Sequence, residues 1–366
     1  MRTSVVDEQA LLSVSSRLGD AVINPTIWPE IMEQICIAAG ATGAGLLQSD
    51  ARTPDVPRTA SIDELFRRYF AEGWHLRDAR QKCVPRLLAG ESVVTDQDIN
   101  TAEEIERSDY YQNLLASFGL KWFAGIGFWS GSALWVLTLQ RTQRAGPFEP
   151  SETRMLSTLR ERLTEVATLS SSVGRIALTS GMRALDGLGE PAIALDRLGF
   201  VLDMNAAAEE IFDDEFRVRG RRLFVRDPQA KSLLDAFIAR SCIMPDTGPL
   251  AVTTFVVRRR AKRPLFIRIV PIAGAARAPF VGGRALLLMS DLSRKSHPQT
   301  DVLVQTFGLS RAEARLASLI AAGISPEQAA EELGIACVTA RNQLKAVFAK
   351  TDTHRQSELV ALLSRL

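Results

Sequence analysis

Between residues 310 and 366 the chain carries its own punctuation. Ser310 is followed three positions on by Glu313, Ser325 by Gln328 and Thr353 by Gln356. A hydroxyl residue with Glu or Gln at that offset satisfies two orphan backbone N–H groups at a helix start. Pro326 stands at a first helical position, where its missing N–H costs nothing. Gly323 and Gly334 fall where helix ends want a residue that tolerates positive φ. The stretch is thus confined to four short helices joined by tight turns. In the third, Ala340, Leu344, Val347 and Phe348 recur at i, i+4, i+7 and i+8 and make the inward face. Val338, Thr339, Arg341, Asn342, Lys345 and Lys350 are left around the rest of the cylinder. A helix with a hydrogen-bonding outer face, preceded by a short helix and a tight Gly turn, meets the requirements of a helix-turn-helix recognition element.

The ordered residues Leu309-Ser310, Glu313, Ala321, Gly323, Ser325, Ala329, Leu333-Gly334-Ile335, Thr339-Ala340-Arg341, Gln343-Leu344, Val347-Phe348, Lys350-Thr351, Arg355 and Glu358-Leu359 resemble the DNA-binding domain of the LuxR/GerE family of bacterial transcription regulators. Two positions depart from that pattern. Ala336-Cys337 stands where the family often has a capping Ser, and Gln343 where many members carry His. The resemblance implies a helix from Cys337 to about Lys350 in the major groove of double-stranded DNA. Thr339 and Lys350 would hold phosphates, and Arg341, Asn342 and Lys345 would reach bases or the groove. It further implies a homodimer on a roughly palindromic site, with RNA polymerase as a candidate further partner. In the last helix Leu359, Val360, Leu362, Leu363 and Leu366 form an apolar stripe wider than one small domain needs, and Leu359 and Leu363 are assigned to the symmetric contact.

The charges of this segment qualify that reading. Arg311, Arg315, Arg341, Lys345, Lys350, Arg355 and Arg365 are offset by Asp301, Glu313, Glu327, Glu331, Glu332, Asp352 and Glu358. The segment lacks the basic excess of a strong lone binder, but the acids lie mostly on the first two helices. Local sign decides a groove-facing surface. The alternative is a protein-docking regulator whose C-terminal helices do not read DNA.

The chain has 366 residues, which calls for two or three domains. Formal net charge is +2, from 44 Lys and Arg against 42 Asp and Glu, so no strong bulk field exists. Cys36, Cys83, Cys242 and Cys337 are scattered without C-x-x-C spacing and read as reduced thiols. No apolar run approaches the roughly 18 residues that span a bilayer, and Asp7 and Glu8 interrupt any signal-peptide layout. The expectation is a soluble cytoplasmic protein with no membrane partner. Its fold class is multidomain: an α+β sensory domain, a connecting helix, a PAS-like α+β domain and an all-α helix-turn-helix domain.

Residues 1–149 read as helices around 8–18 and 26–39, a Gly-rich strand ATGAGLLQ, a Pro-containing loop through 52–58 and a helix from 62 to about 74. A further helix over 103–118 precedes two strands joined at Ser130-Gly131, a hairpin signal. Helices around an antiparallel sheet resemble a GAF or PAS sensory sandwich, and the autoinducer-binding domains of LuxR-type quorum sensors share that layout. The spacing of Tyr69, Trp74 and Asp78 resembles positions that hold the ligand in such sensors. With Trp122, Phe123, Trp129 and Trp135 they would wall a pocket for a small organic ligand, oriented by Asp78. The competing reading makes the aromatics core and Asp78 a helix-end acid.

Residues 150–186 read as a connecting helix. Leu156, Leu159, Leu163 and Val166 start a heptad seam that Ser170 and Ser180 interrupt. It is read as a dimerising helix, the alternative being a helix packed on its own sheet. Residues 187–293 resemble a PAS domain: strand, turn at Asp196 and Gly199, strand, then a helix capped by Asn205. Strands AVTTFVVRR, LFIRIVPI and RALLLMSDL would complete a five-stranded antiparallel sheet. Two basic runs occur, at 217–222 and 258–263; the second falls in a hairpin loop and reads as a solvated turn, with a phosphate contact as the alternative. The stretch 293–300, with Pro298, is a linker to the 301–366 module. His75, His297 and His354 are far apart, without metal-ligand spacing. No nucleophile elbow or phosphate loop is present. No enzyme activity, cofactor or metal is expected.

Overall fold

The computed structural model describes residues 6–49, 53–243, 252–293 and 299–364, with only the backbone of Cys242 and Ile243. Arg52 of the expected loop, His297 and Pro298 of the expected linker, and Arg365 and Leu366 of the last helix lie outside the described residues. Two compact units result, one of Met1–Arg259 with Leu265–Ser290 and the other of Arg260–Pro264 with Asp291–Leu366. Among the described residues no helix is long and apolar enough to cross a membrane.

The first unit begins with helices Glu8–Arg17, capped by Asp7, and Trp28–Ala39, ended by Gly40 at φ 58°. Strands β1 (Gly43–Gln48), β2 (Val93–Thr95), β3 (Leu120–Ser130) and β4 (Ala133–Thr142) form an antiparallel sheet in the order β1-β4-β3-β2. The β3–β4 turn has Gly131 at φ 60°. Strand alternation divides the sheet into two faces. Ala124, Ile126, Phe128, Trp135, Leu137 and Leu139 are buried with the first helices and with Leu156, Leu159, Leu163 and Val166. The opposite face, with Phe123, Gly125, Thr138 and Gln140, is covered by helix Asp63–Ala71 and by the turns through 74–118. The expected helix over 103–118 is broken: Ala102–Arg107 ends at Ser108, and a wide helical turn, Tyr110–Leu115, follows. Strand β2 is too short to show in the sequence.

The connecting segment forms Pro150–Ser157 and Leu159–Gly187. Leu156, Leu159, Leu163 and Val166 are each at most 1% exposed in this chain's own core. Their assignment to a dimer seam is corrected, because the sheet of the same protomer already covers them. The interruption at Ser170 has a cause as well. Ser170 is fully buried, and one turn on, a Cβ on Gly174 would lie 2.5 Å from the Ala275 carbonyl oxygen. Small residues here admit the backbone of the next domain.

That domain has strands β5 (Ala192–Asp196), β6 (Val201–Met204), β7 (Phe216–Arg219), β8 (Arg222–Val225), β9 (Thr253–Val257), β10 (Leu265–Pro271) and β11 (Gly283–Asp291), and helix Pro228–Ile243. Five make the expected sheet, ordered β6-β5-β11-β10-β9, and β7-β8 pair separately as an antiparallel ribbon the sequence did not announce. Asn205 caps helix Ala206–Glu209 through the Ala208 N–H, and Gly199, at φ 78°, makes the β5–β6 turn. Segment 274–284 binds the two domains together. Phe280 sets its ring edge-on to Trp28, Phe128 and Trp135, with centroids 5.7, 6.0 and 5.1 Å away. Beside it Asp55, fully buried, accepts from Arg284 Nε at 2.9 Å and lies 3.5 Å from Arg197 Nη1. Of the 258–263 run, Arg259 is not a solvated turn residue: its side chain is buried 3.4 Å from Asp213 Oδ2.

The second unit holds helices Thr300–Phe307, Arg311–Ala321, Pro326–Glu332, Cys337–Thr351 and Gln356–Leu363. The capping boxes at Ser310 and Ser325 form. The third does not. Thr353 Oγ1 shares a buried hydrogen bond with Thr351 Oγ1, and Arg355 precedes the helix, so Glu358 instead reaches back to the His354 N–H. Leu359 and Leu363 are buried in the unit's own core, which removes them from the symmetric contact for the same reason as the connecting-helix leucines.

Candidate functional site

On the pocket face of the first sheet a cavity of about 40 Å³ lies between Phe66, Tyr69, Asp78, Tyr110, Phe123, Thr138 and Gln140. Organic ligands occupy roughly 300–1,000 Å³, and this space holds about two or three waters. The glycines keep it small. A Cβ on Gly45 would meet Phe66 Cζ at 2.7 Å, and one on Gly127 would meet Leu87 at 2.9 Å, so both covering layers sit directly on the strands.

Tyr69 and Asp78 do come together. The Tyr69 hydroxyl donates to Asp78 Oδ2 at 2.8 Å, while Asp78 Oδ1 accepts the Arg80 backbone N–H at 2.8 Å. Asp78 is thus also the helix-end acid of the competing reading. The tryptophans do not line the cavity. Trp74 donates its indole N–H to Glu72 at 2.8 Å, under the Arg77 guanidinium. Trp135 pairs with Phe128 and faces the other side of the sheet. A bulge between Leu120 and Trp122 displaces Trp122, which is half-buried and has no hydrogen-bond partner for its indole N–H. The two-residue period of the strands puts Phe123 and Trp135 on opposite faces of the sheet.

Arg80 went unnoticed in the sequence. It is 3% exposed and donates to both oxygens of Asp96 at 2.9 and 3.1 Å, to Gln140 Oε1 at 2.7 Å and to the Lys121 carbonyl at 3.0 Å. Its guanidinium lies over Tyr110, Tyr111 and Phe123, and Tyr111 donates to Asp96. Burial opposes its charge, yet Asp96 and the two tyrosines raise its pKa above the ordinary arginine value. Residues 80, 96, 111 and 140 are too dispersed for any local pattern to join them.

In the second unit Cys337–Thr351 buries Ala340, Leu344 and Val347 and leaves Thr339, Arg341, Asn342, Lys345 and Lys350 exposed, with Val338 at 69%. Two of these cations are engaged. Arg341 donates to Glu327 at 3.0 Å, and Lys350 to Glu313 at 2.7 Å. Arg341 and Glu327 are both exposed, so solvent screens their pair, whereas the Glu313 carboxylate is largely covered. Gly334, at φ 65°, sets the turn before the helix, and Ala336 offers no side-chain cap.

No family model matches the sequence, and no curated protein matches it. Solved structures aligned with it include the VqsR LBD domain from Pseudomonas aeruginosa, 20% identical over 44% of this chain and 95% of that one, with a TM-score of 0.36. Another is the Vibrio cholera VqmA–ligand–DNA complex, 17% identical over 51% and 87%, with a TM-score of 0.22. The phage VqmA–DPO complex is 15% identical over 51% and 88%, with a TM-score of 0.24. At TM-scores this low none of the three bears on what this chain does.

Proposed function

We propose that the chain is a cytoplasmic bacterial transcription regulator that binds double-stranded DNA through Cys337–Thr351 as a homodimer. The carrying observation is the outer face of that helix, where Thr339, Arg341, Asn342 and Lys345 are all exposed beside an exposed Val338. Hydroxyl, amide and guanidinium groups on one helix supply the donors and acceptors of phosphate and major-groove recognition. Thr339 and Lys350 take phosphates in this reading, Lys350 by exchanging Glu313 for a stronger anion. Arg341 leaves Glu327 in the same way. The first domain is the sensor: a small organic molecule enters between Tyr69 and Asp78 by opening the closed cavity. It shifts the protein only so far as it prefers the opened arrangement.

The pairing of Arg341 and Lys350 with carboxylates also favours a second reading, a protein-docking module. Replacing Arg341 and Lys345 with Ala separates the two. A DNA reader loses duplex affinity and shows a shallower salt dependence with its fold intact. Unchanged affinity in that variant refutes the assigned face.

A further inference from the structure

The β7–β8 ribbon of the PAS-like domain carries a second surface. Cross-strand partners share a face, and the registers Arg217↔Phe224 and Arg219↔Arg222 place three arginines around one phenylalanine. Arg226 follows on the same side of β8, opposite Glu215, and Arg217 is paired with Asp214. Lys231, from helix Pro228–Ile243, joins Arg219 and Arg222 along a groove of about 330 Å³ that also holds Asp235. Arg219, Arg222, Arg226 and Lys231 are exposed, and no carboxylate among the described residues pairs with any of them.

Two guanidiniums are already oriented. Arg219 lies 4.7 Å from the centroid of Phe224, and Arg222 lies 4.0 Å from that of Phe200, with one N–H on the Leu198 carbonyl at 3.1 Å. A guanidinium stacked by its face keeps its N–H edge available for two parallel bonds to a phosphate. A cluster of unpaired cations repels itself unless an anion comes to it. Stacked arginines spaced along a ribbon match the regular phosphates of a nucleic-acid backbone.

We propose that this ribbon binds the phosphate backbone of duplex DNA without reading its sequence, adding to the contacts of the recognition helix. The proposal rests on the reading of this chain as a DNA binder. Tethering both surfaces in one chain raises the effective concentration of DNA at the ribbon.

The test uses the full chain, a 40-base-pair mixed-sequence duplex as probe, and affinity measured across salt concentrations. Arg219→Gln/Arg226→Gln/Lys231→Gln spares Arg222, which bonds to the Leu198 carbonyl, and Arg219→Gln/Arg222→Gln/Lys231→Gln removes the groove cations, with circular dichroism checking the fold of both. Each lost phosphate contact takes about 0.9 from the salt slope, so either variant should flatten it by about 2 to 3. Equal slopes in the wild type and both variants overturn the ribbon. If Arg341→Ala/Lys345→Ala still weakens binding, the function proposed above stands without it. Ribbon variants that weaken binding while the helix variant does not support the ribbon and refute the recognition face. No duplex binding by the wild type overturns both. Vesicles containing phosphatidylserine give the remaining outcome: vesicle binding lost in the variants with duplex binding retained assigns the surface to a membrane and overturns the proposal.

Discussion

Replacing Asp55 with Ala should loosen the joint between the first domain and the domain of the five-stranded sheet. Asp55 is fully buried, 2.8 Å from Arg284 Nη2 and 2.9 Å from Arg284 Nε, with Arg197 Nη1 at 3.5 Å. Its removal takes one carboxylate from beside two buried guanidiniums, and breaking a buried pair by deleting one partner costs about 3–5 kcal/mol. With a urea dependence of about 3 kcal/mol per molar, the unfolding midpoint should fall by about 1 M or more. Tryptophan fluorescence follows the event, because Trp28 and Trp135 both touch Phe280 at this joint. Arg284→Met together with Asp55→Ala should cost less than the two single changes added, since the double variant buries fewer unmatched charges. A midpoint shift under about 0.3 M, or strict additivity, refutes the joint as an electrostatic one.

Gly174→Ala tests the same joint by shape. Alanine favours a helix by about 1 kcal/mol, yet its Cβ would meet the Ala275 backbone, so a lower thermal midpoint is expected and a higher one contradicts the packing. The Lys350 ammonium, with the Ser310 N–H, holds the Glu313 carboxyl below the usual glutamate range. Its contribution is therefore full above the unfolded pKa and is lost as pH falls through the folded one. Acid titration of Glu313→Gln, followed by circular dichroism, should show a flatter loss of stability below about pH 4.3. Burial, then Glu33, pushes the Cys36 thiol up to about 12. Iodoacetamide at pH 8 should leave Cys36 unlabelled in the native protein, as peptide mass spectrometry can read.

The short helices from Arg311 to Leu363 were legible because their signals are local. Capping pairs, Gly ends and a 3.6-residue period lie within a few turns, and only the Thr353 cap gave way, to a hydrogen bond with Thr351. The five-stranded sheet was legible from strands of ordinary length and from Asn205. What the sequence concealed was which neighbour covers an apolar stripe. Leu156, Leu163, Leu359 and Leu363 have the spacing of a dimer seam, and spacing alone does not distinguish a partner from the chain's own core. The pocket failed for a related reason: Tyr69 and Asp78 are nine residues apart, whereas Arg80, Asp96 and Gln140 meet only through the fold. The β7–β8 ribbon does not show in the sequence because its strands hold four residues each and are rich in arginine.

Selection of binding sequences from a random duplex pool by the full chain addresses the central claim most directly. The account predicts an enriched, roughly palindromic sequence with half-sites about one helical turn apart, and loss of that enrichment in Arg341→Ala/Lys345→Ala. Recovery of the starting pool unchanged, or the same enriched sequence from the variant, would contradict it.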